Sequence, residues 1–206
     1  MTNAPAPQLY LVAPAQGPLG AVIEGVARLL DSAAFACVRL PAAGRDEETL
    51  SRMGDGLREL VHPYDIPLVL DDHYRLAAHL GLDGVHLTSG ARDVRAARAH
   101  LDKDAIIGAF CATSRHQGMT AGEIGADYIS FGPVAHSALG SGDVAERELF
   151  AWWAEMIELP VVAEGGLGLD EVAALKDAAD FLCFGEEVWS DPTGPEAALK
   201  ARLAAL

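Results

Sequence analysis

The sequence of 206 residues predicts an α/β fold with one domain, a closed (β/α)8 barrel of the TIM-barrel type. Eight short apolar runs recur along the chain, and segments with helical periodicity separate them. Strict alternation of strands and helices is typical of a parallel sheet. Eight strands favour closure, because an open sheet of this class usually has about five or six strands and a Gly-x-Gly-x-x-Gly turn after the first. The first apolar run of this sequence is not followed by such a turn.

The predicted strands are short and mostly apolar. They comprise residues 9–13, 35–40, 67–70, 84–87, 105–110, 128–131, 160–163 and 181–184. Helical periodicity is clearest at residues 21–30 and 50–61, with Gly, Asp or Pro near the helix boundaries. We expect one barrel domain over residues 1–206, with residues 1–8 as an N-terminal arm. The longest irregular stretch, residues 134–145, follows the sixth strand and is expected to be a lid or binding loop.

Composition limits the partners and the compartment. The formal net charge of −15 argues against nucleic acid or an anionic membrane, because no cluster of Lys and Arg is present to bind a polyanion. Cys37, Cys111 and Cys183 each lie in an apolar run, which predicts reduced core thiols and a reducing cytoplasm. No apolar run reaches the roughly 18 residues of a membrane span, and the start of the chain lacks the regions of a signal peptide. We expect a cytoplasmic protein.

Active sites in this fold lie where strands end and the following loops begin, which selects a set of candidate residues by position alone. Those retained as site residues are Arg39, Asp71, Asp72, His86, Ser89, Gly132, His136, Gly165, Gly166, Gly185 and Glu186. His116, near the start of the fifth helix, is added as a second candidate acid or base beside His136.

Two glycine-containing loops predict a phosphate site. Gly165 and Gly166 follow the seventh strand and Gly185 follows the eighth, and the backbone amides of these two loops commonly hold phosphate in barrels. The alternative is a pair of tight turns without a ligand. Glutamates beside both loops would repel an anion unless their side chains point away.

Three further strand ends carry charged or titratable side chains with two interpretations each. Asp71 and Asp72 supply hard oxygen ligands for Mg2+, or cap the next helix. His86 is either catalytic or hydrogen-bonded inside the barrel. Arg39, within an apolar strand, requires an anion, which is either a carboxylate such as that of Asp72 or a substrate phosphate.

Three segments resemble a known family. They read Asp-Gly-Val-His-Leu at 83–87, Gly-Ala-Asp-Tyr-Ile-Ser-Phe-Gly-Pro at 125–133 and Pro-Val-Val-Ala-Glu-Gly-Gly-Leu at 160–167. Over nearly its whole length the chain is similar to the superfamily of thiamine phosphate synthase and thiazole tautomerase. In the synthase, an aminopyrimidine diphosphate loses pyrophosphate, and the ring nitrogen of a thiazole phosphate captures the resulting cation.

The resemblance assigns roles and also shows differences. It implies that Arg39 binds the diphosphate, that Asp72 binds Mg2+, and that the two glycine-containing loops bind the thiazole phosphate. Cys37 and Pro41 stand where the family has a glutamine and a lysine, and residues 134–142 lack the family's lysine. Asp93 is displaced in sequence from the family's second metal-binding aspartate.

The resemblance therefore predicts a synthase-like transferase with a partly degenerate site, acting on phosphorylated pyrimidine and thiazole small molecules with Mg2+. One alternative is a tautomerase-like isomerase that uses His116 or His136 and needs no metal. A second is a paralogue that only binds a phosphorylated ligand. We expect a homodimer, the commonest closed assembly.

Overall fold

The computed structural model describes residues 6–140 and 142–206. Eight parallel strands pair in chain order and β8 pairs with β1, so the sheet closes and the predicted (β/α)8 barrel is confirmed. The strands are β1 Gln8–Val12, β2 Phe35–Leu40, β3 Leu68–Asp71, β4 Gly84–Leu87, β5 Ile106–Phe110, β6 Tyr128–Phe131, β7 Val161–Glu164 and β8 Phe181–Phe184. Every strand boundary lies within one residue of its prediction.

Helices follow the strands and cover the outside of the barrel. They are α1 Leu19–Ser32, α2 Glu47–Val61, α3 Tyr74–Leu80, α4 Val94–His100, α5 Arg115–Glu123, α6 Arg147–Met156, α7 Leu169–Leu175, α8 Glu186–Trp189 and α9 Pro195–Leu203. Gln8, which we predicted to lie in the N-terminal arm, is already paired with Phe181 of β8. Within the described ranges, no helix is long and apolar enough to cross a membrane.

Two separate apolar clusters follow from the alternation of side chains along each strand. The larger lies between the sheet and the helices, with Trp153, Phe131 and Phe150 among its fully buried members. The smaller fills the barrel, and its buried members are Tyr10, Cys37, Val69, Tyr128, Val162 and Cys183. The inner cluster closes the floor beneath the polar residues of the carboxyl-terminal end.

At the amino-terminal end of the barrel, aspartates join neighbouring strands. Each precedes an even-numbered strand, and its carboxylate accepts a hydrogen bond from an amide at the start of the strand before. The three pairs are Asp83 with Leu68 at 2.7 Å, Asp127 with Ile107 at 2.7 Å and Asp180 with Val161 at 2.8 Å. Charge-assisted bonds of this kind to strand amides fix the ends of β3, β5 and β7.

Candidate active site

The buried polar side chains lie together inside the barrel. In the described part of the chain they are Arg39, Asp71, His86, Ser130 and Glu164. Each occupies the last or next-to-last position of its strand, at the carboxyl-terminal end of the barrel. Burial of charge is costly without a partner, so the contacts among these side chains determine how the site is built.

Arg39 is held between two carboxylates. Its Nε lies 3.1 Å from Oδ1 of Asp71 on the neighbouring strand, and its Nη1 donates to Oε2 of Glu164, across the barrel, at 2.9 Å. The side chain is buried, at 7% exposure. The anion that the sequence required therefore includes two carboxylates of the chain itself, and they are Asp71 and Glu164, whereas the carboxylate of Asp72 bonds elsewhere.

The two carboxylates differ in their electrostatics. Burial favours the protonated form of Glu164, but Arg39, His86 and the Ser130 hydroxyl, which donates to Oε1, together hold its pKa well below the usual value. For Asp71, burial raises the pKa and the attraction of Arg39 offsets this only in part. With both carboxylates ionised, they and Arg39 form a buried group with one net negative charge.

A chain of hydrogen bonds crosses the same interior. The hydroxyl of Tyr128 lies 2.9 Å from Nδ1 of His86 and 2.8 Å from the hydroxyl of Tyr10. Gly108 leaves room for the Tyr128 ring, since a Cβ there would lie 2.0 Å from a ring carbon. Burial raises the pKa of both tyrosines well above the ordinary value, so both remain protonated. Of the two interpretations of His86, the structure shows the hydrogen-bonded one, and its catalytic role stays a prediction.

His86 has one ring nitrogen to spare. Its Nε2 lies 3.6 Å from Oε1 of Glu164, which is too long for a hydrogen bond. This nitrogen is buried and has no hydrogen-bond partner among the described residues. A buried polar atom left without a partner is costly, and such atoms are found more often at functional sites than elsewhere.

Asp72 has a different environment, on the surface of the same end. Its backbone has a positive φ of 55°, and its carboxylate accepts bonds from the amide of Thr88 at 2.7 Å and from the Thr88 hydroxyl at 2.6 Å. The capping interpretation is wrong, because the N-cap of α3 is His73 and the Asp72 side chain turns to the loop after β4. Asp72 thus joins two loops with an exposed carboxylate.

The predicted metal site has a small ligand set. Asp93 and Asp72 have different hydrogen-bond partners. The carboxylate of Asp93 accepts from the Ser89 hydroxyl at 2.7 Å and from Arg92 at 3.2 Å. No group of three or more His, Cys, Asp or Glu residues suited to a metal occurs among residues 6–140 and 142–206. A metal at this end would depend on Asp72 and on oxygen atoms of a ligand.

The Gly165–Gly166 turn requires glycine for conformational reasons. The two residues have φ of 85° and 83°, which side chains disfavour. The loop after β6 lies directly over this turn, where the Val134 amide donates to the Gly165 carbonyl at 2.8 Å. A Cβ on Gly166 would lie 3.1 Å from that of Ala135. The irregular stretch predicted to be a lid thus packs on the predicted phosphate loop.

The second glycine-containing loop already bonds to a carboxylate. The amide of Gly185 donates to Oε1 of Glu187 at 3.0 Å. Arg202, on α9, ties the two loops together, because its Nε donates to the Leu167 carbonyl at 2.8 Å and its Nη2 to the Glu187 carbonyl at 3.0 Å. No sequence pattern singles out Arg202, since it lies on a helix that follows none of the strand ends directly.

Other predicted residues occupy distinct surroundings. Gly132 is buried, its peptide bond to Pro133 is cis, and a Cβ on it would lie 2.2 Å from the Glu164 carbonyl oxygen. His116, His136 and Glu186 are exposed. The structure therefore does not bury either candidate acid or base with the Arg39 cluster, and the roles of these residues stay predictions.

The site residues predicted from the sequence leave out four residues of the interior, namely Tyr10, Tyr128, Ser130 and Glu164. A signal for two of them, Ser130 and Glu164, was present. Tyr128 and Ser130 are two residues apart on β6, as are Val162 and Glu164 on β7, so each pair points to the same face of its strand. An inward tyrosine or valine therefore predicts an inward serine or glutamate.

The fold and this buried polar group define a (β/α)8-barrel protein with its site at the carboxyl ends of the strands. The family model of thiamine monophosphate synthase matches residues 9–187. The thiamine-phosphate synthase of Rhodospirillum centenum is 39% identical over 196 residues, covering 93% of this chain and 94% of that protein. The thiamine-phosphate synthase of Hyphomonas neptunium is 35% identical over 204 residues, covering 96% and 92%.

A solved structure agrees in fold. Thiamine phosphate pyrophosphorylase from Pyrococcus furiosus superposes with a TM-score of 0.82 at 24% identity, and the match covers 96% of this chain and 94% of that one. The family model and the relatives extend over most of the sequence. This chain belongs to the thiamine monophosphate synthase family.

Proposed function

We propose that the protein is a thiamine phosphate synthase-like transferase, which couples an aminopyrimidine diphosphate to a thiazole phosphate with loss of pyrophosphate. The observation that carries the proposal is the 39% identity, over 93% of the chain, to a protein named thiamine-phosphate synthase. The geometry adds support, because Arg39, Asp72 and the two glycine-containing loops all lie at the carboxyl-terminal end of one barrel.

The proposed reaction breaks one bond and makes another. The carbon–oxygen bond to the diphosphate breaks and both electrons leave with pyrophosphate, and the thiazole nitrogen then supplies the pair for the new carbon–nitrogen bond. The intermediate pyrimidine is a cation. When Asp71 and Glu164 are both ionised, they and Arg39 carry one net negative charge, which is in place before the reaction and would stabilise developing positive charge without reorganisation.

The same residues have less to offer the diphosphate. Arg39 uses Nε and Nη1 on carboxylates, which leaves the Nη2 donors for a ligand oxygen. Cys37 and Pro41 supply no cation beside it. Each charge-assisted contact to a phosphate contributes about 1.5–3 kcal/mol, so we expect slower turnover than a site with those cations would give.

Mg2+ fits the site as part of a substrate complex. Asp72 would hold it together with diphosphate oxygens, since Mg2+ often takes one or two carboxylates and completes its shell with water and phosphates. Each Asp72 oxygen accepts one bond from Thr88 and has a lone pair left. When bound, the ion would neutralise charge on the leaving pyrophosphate. A homodimer and a cytoplasmic location remain predictions.

Calorimetric titration tests the two half-sites separately. Thiazole phosphate and aminopyrimidine diphosphate are each titrated with and without Mg2+, into the wild type, Asp72→Asn and Asp93→Asn. We expect metal-dependent binding of the diphosphate, weakened about tenfold or more in Asp72→Asn because a charged ligand is lost. Asp93→Asn serves as the matched control and should bind as the wild type does, because Asp93 bonds to Ser89 and Arg92 and not to the Asp72 loop.

Turnover completes the test. Both substrates with Mg2+ should yield thiamine phosphate and pyrophosphate in equal amounts. Mass spectrometry would measure the first product, and a phosphate assay coupled to pyrophosphatase would measure the second. Binding of thiazole phosphate without any metal-dependent binding of the diphosphate would contradict the synthase proposal. That result would favour the tautomerase alternative. Its test is the rate of proton exchange on the thiazole phosphate, measured in Asn variants of His116 and His136.

A further inference from the structure

Glu187 occupies the predicted phosphate loop with its own side chain. Its Oε1 accepts the Gly185 amide at 3.0 Å, and its other carboxylate oxygen lies 4.0 Å from the Cβ position of Gly185. Burial raises the pKa of this carboxyl, and the amides of Gly185, of Glu187 itself and of Gly166, together with Arg202, offset the rise only in part. The Gly185 amide is therefore already bonded to a carboxylate of the chain, in the place where an anionic ligand would be held.

The position of Glu187 is fixed from its backbone. Arg202 donates to the Glu187 carbonyl, and the same guanidinium donates to the Leu167 carbonyl of the neighbouring loop. These bonds keep the residue against both loops while its side chain is only half-buried. The adjacent Glu186 is exposed, which distinguishes it from Glu187.

We propose that Glu187 is a specificity-determining residue that competes with the substrate phosphate for the Gly185 amide and so sets the affinity of the site for phosphate. The inference depends on the phosphate-binding role of these loops in the function proposed above. Two anions cannot share one amide, and a carboxylate near a phosphate dianion repels it. A phosphate can bind only after the Glu187 side chain has rotated away.

The competition has a definite effect on binding. In the wild type, part of the free energy of phosphate binding is spent on displacing the carboxylate. An alanine at 187 leaves the Gly185 amide free for the ligand, and a glutamine removes the repulsion while retaining an acceptor for that amide. A charge-assisted hydrogen bond is strong enough for its loss to change affinity about tenfold or more, so alanine should have the larger effect and glutamine the smaller.

The experiment measures the dissociation constant of inorganic phosphate by calorimetry for wild type, Glu187→Ala, Glu187→Gln and Asp170→Asn. Asp170 is the matched control, because it is an exposed acid in the first turn of α7, beside the other loop, and its loss removes the same charge. We expect phosphate to bind Glu187→Ala about tenfold or more tightly than the wild type, Glu187→Gln to lie between them, and Asp170→Asn to remain within about twofold.

Thermal unfolding provides a second measurement, which remains valid for a less stable variant because each protein is compared with itself, with and without phosphate. A ligand that binds only the folded state raises the unfolding temperature, so added phosphate should stabilise both Glu187 variants more than the wild type. Steady-state kinetics should show a lower KM for thiazole phosphate in Glu187→Ala with little change in kcat. A defect in folding alone would lower kcat and leave the dissociation constant of phosphate unchanged.

Two results would overturn the role of Glu187. One is an equal gain in phosphate affinity for Asp170→Asn and Glu187→Ala, which would show a long-range charge effect in place of competition. The other is unchanged or weaker phosphate binding in both Glu187 variants. The outcome is separable from that of the proposed reaction, because a chain that forms no thiamine phosphate and still gains phosphate affinity in Glu187→Ala would refute the reaction alone.

Discussion

The two ends of the barrel use carboxylates in opposite ways. At the amino-terminal end, Asp83, Asp127 and Asp180 each accept from one strand amide at 2.7 or 2.8 Å. At the carboxyl-terminal end, Asp71 and Glu164 share one arginine. The first arrangement satisfies local donors and stabilises the fold, whereas the second concentrates charge at the candidate site.

The difference extends to the polar atoms left without a hydrogen bond. Among the described residues, the buried side-chain atoms without one are Arg39 Nε and Asp71 Oδ1, which form an ion pair with each other at 3.1 Å, and His86 Nε2. All three belong to the carboxyl-terminal end. A sequence that served stability alone would give every buried polar atom a hydrogen bond, and natural proteins depart from this mainly at functional sites. Among the described residues, such atoms are therefore confined to the end of the barrel that carries the candidate site.

The largest effect is expected from Arg39→Met, which tests whether the carboxyl-terminal cluster has a structural role as well. The substitution leaves two buried carboxylates without their cation, and breaking a buried ion pair in this way costs about 3–5 kcal/mol. Urea denaturation would measure the free energy of unfolding. Arg39→Lys keeps the charge and loses the forked geometry, so its free energy of unfolding should lie between those of Arg39→Met and the wild type. A loss below about 1 kcal/mol would contradict the ion-pair assignment.

A smaller effect is expected from Asp180→Ala at the opposite end. It removes the acceptor of the Val161 amide, at a cost of about 1–2 kcal/mol. Asp180→Asn keeps a side-chain oxygen and should retain most of the stability. Phosphate affinity should be the same in all three proteins, measured by calorimetry beside the urea experiment. A change in ligand binding without a change in stability would break the comparison between the two ends.

The sequence predicted the fold well because the fold depends on apolar runs. Each strand interior is buried on both faces, so the runs are nearly continuous and their limits are visible, as in β6 Tyr128–Phe131. The aspartates that precede β4, β6 and β8 mark the same boundaries. Local patterns were sufficient here because each of these contacts joins neighbouring strands.

The site was harder to predict because its contacts cross the barrel. The need of Arg39 for an anion was evident from one strand, but its pairing with Glu164 joins β2 to β7, which only closure brings together. The capping interpretation of Asp72 failed because its backbone adopts a positive φ that turns the carboxylate to Thr88. The position of Glu187 on the Gly185 amide depends on one side-chain rotamer, for which no sequence pattern exists.

The smallest change in stability, and the sharpest test of the comparison, is expected from Thr88→Val. This substitution removes the hydroxyl bond to Asp72 and leaves the amide bond in place, so the free energy of unfolding should fall by only about 0.5–1 kcal/mol. Asp72 would be less firmly oriented, and the metal-dependent affinity for the aminopyrimidine diphosphate should fall several-fold in calorimetry. Thr88→Ser keeps the hydroxyl and should bind as the wild type does. Loss of affinity in Thr88→Ser, with none in Thr88→Val, would show that the Thr88 methyl group, and not the orientation of Asp72, supports the site.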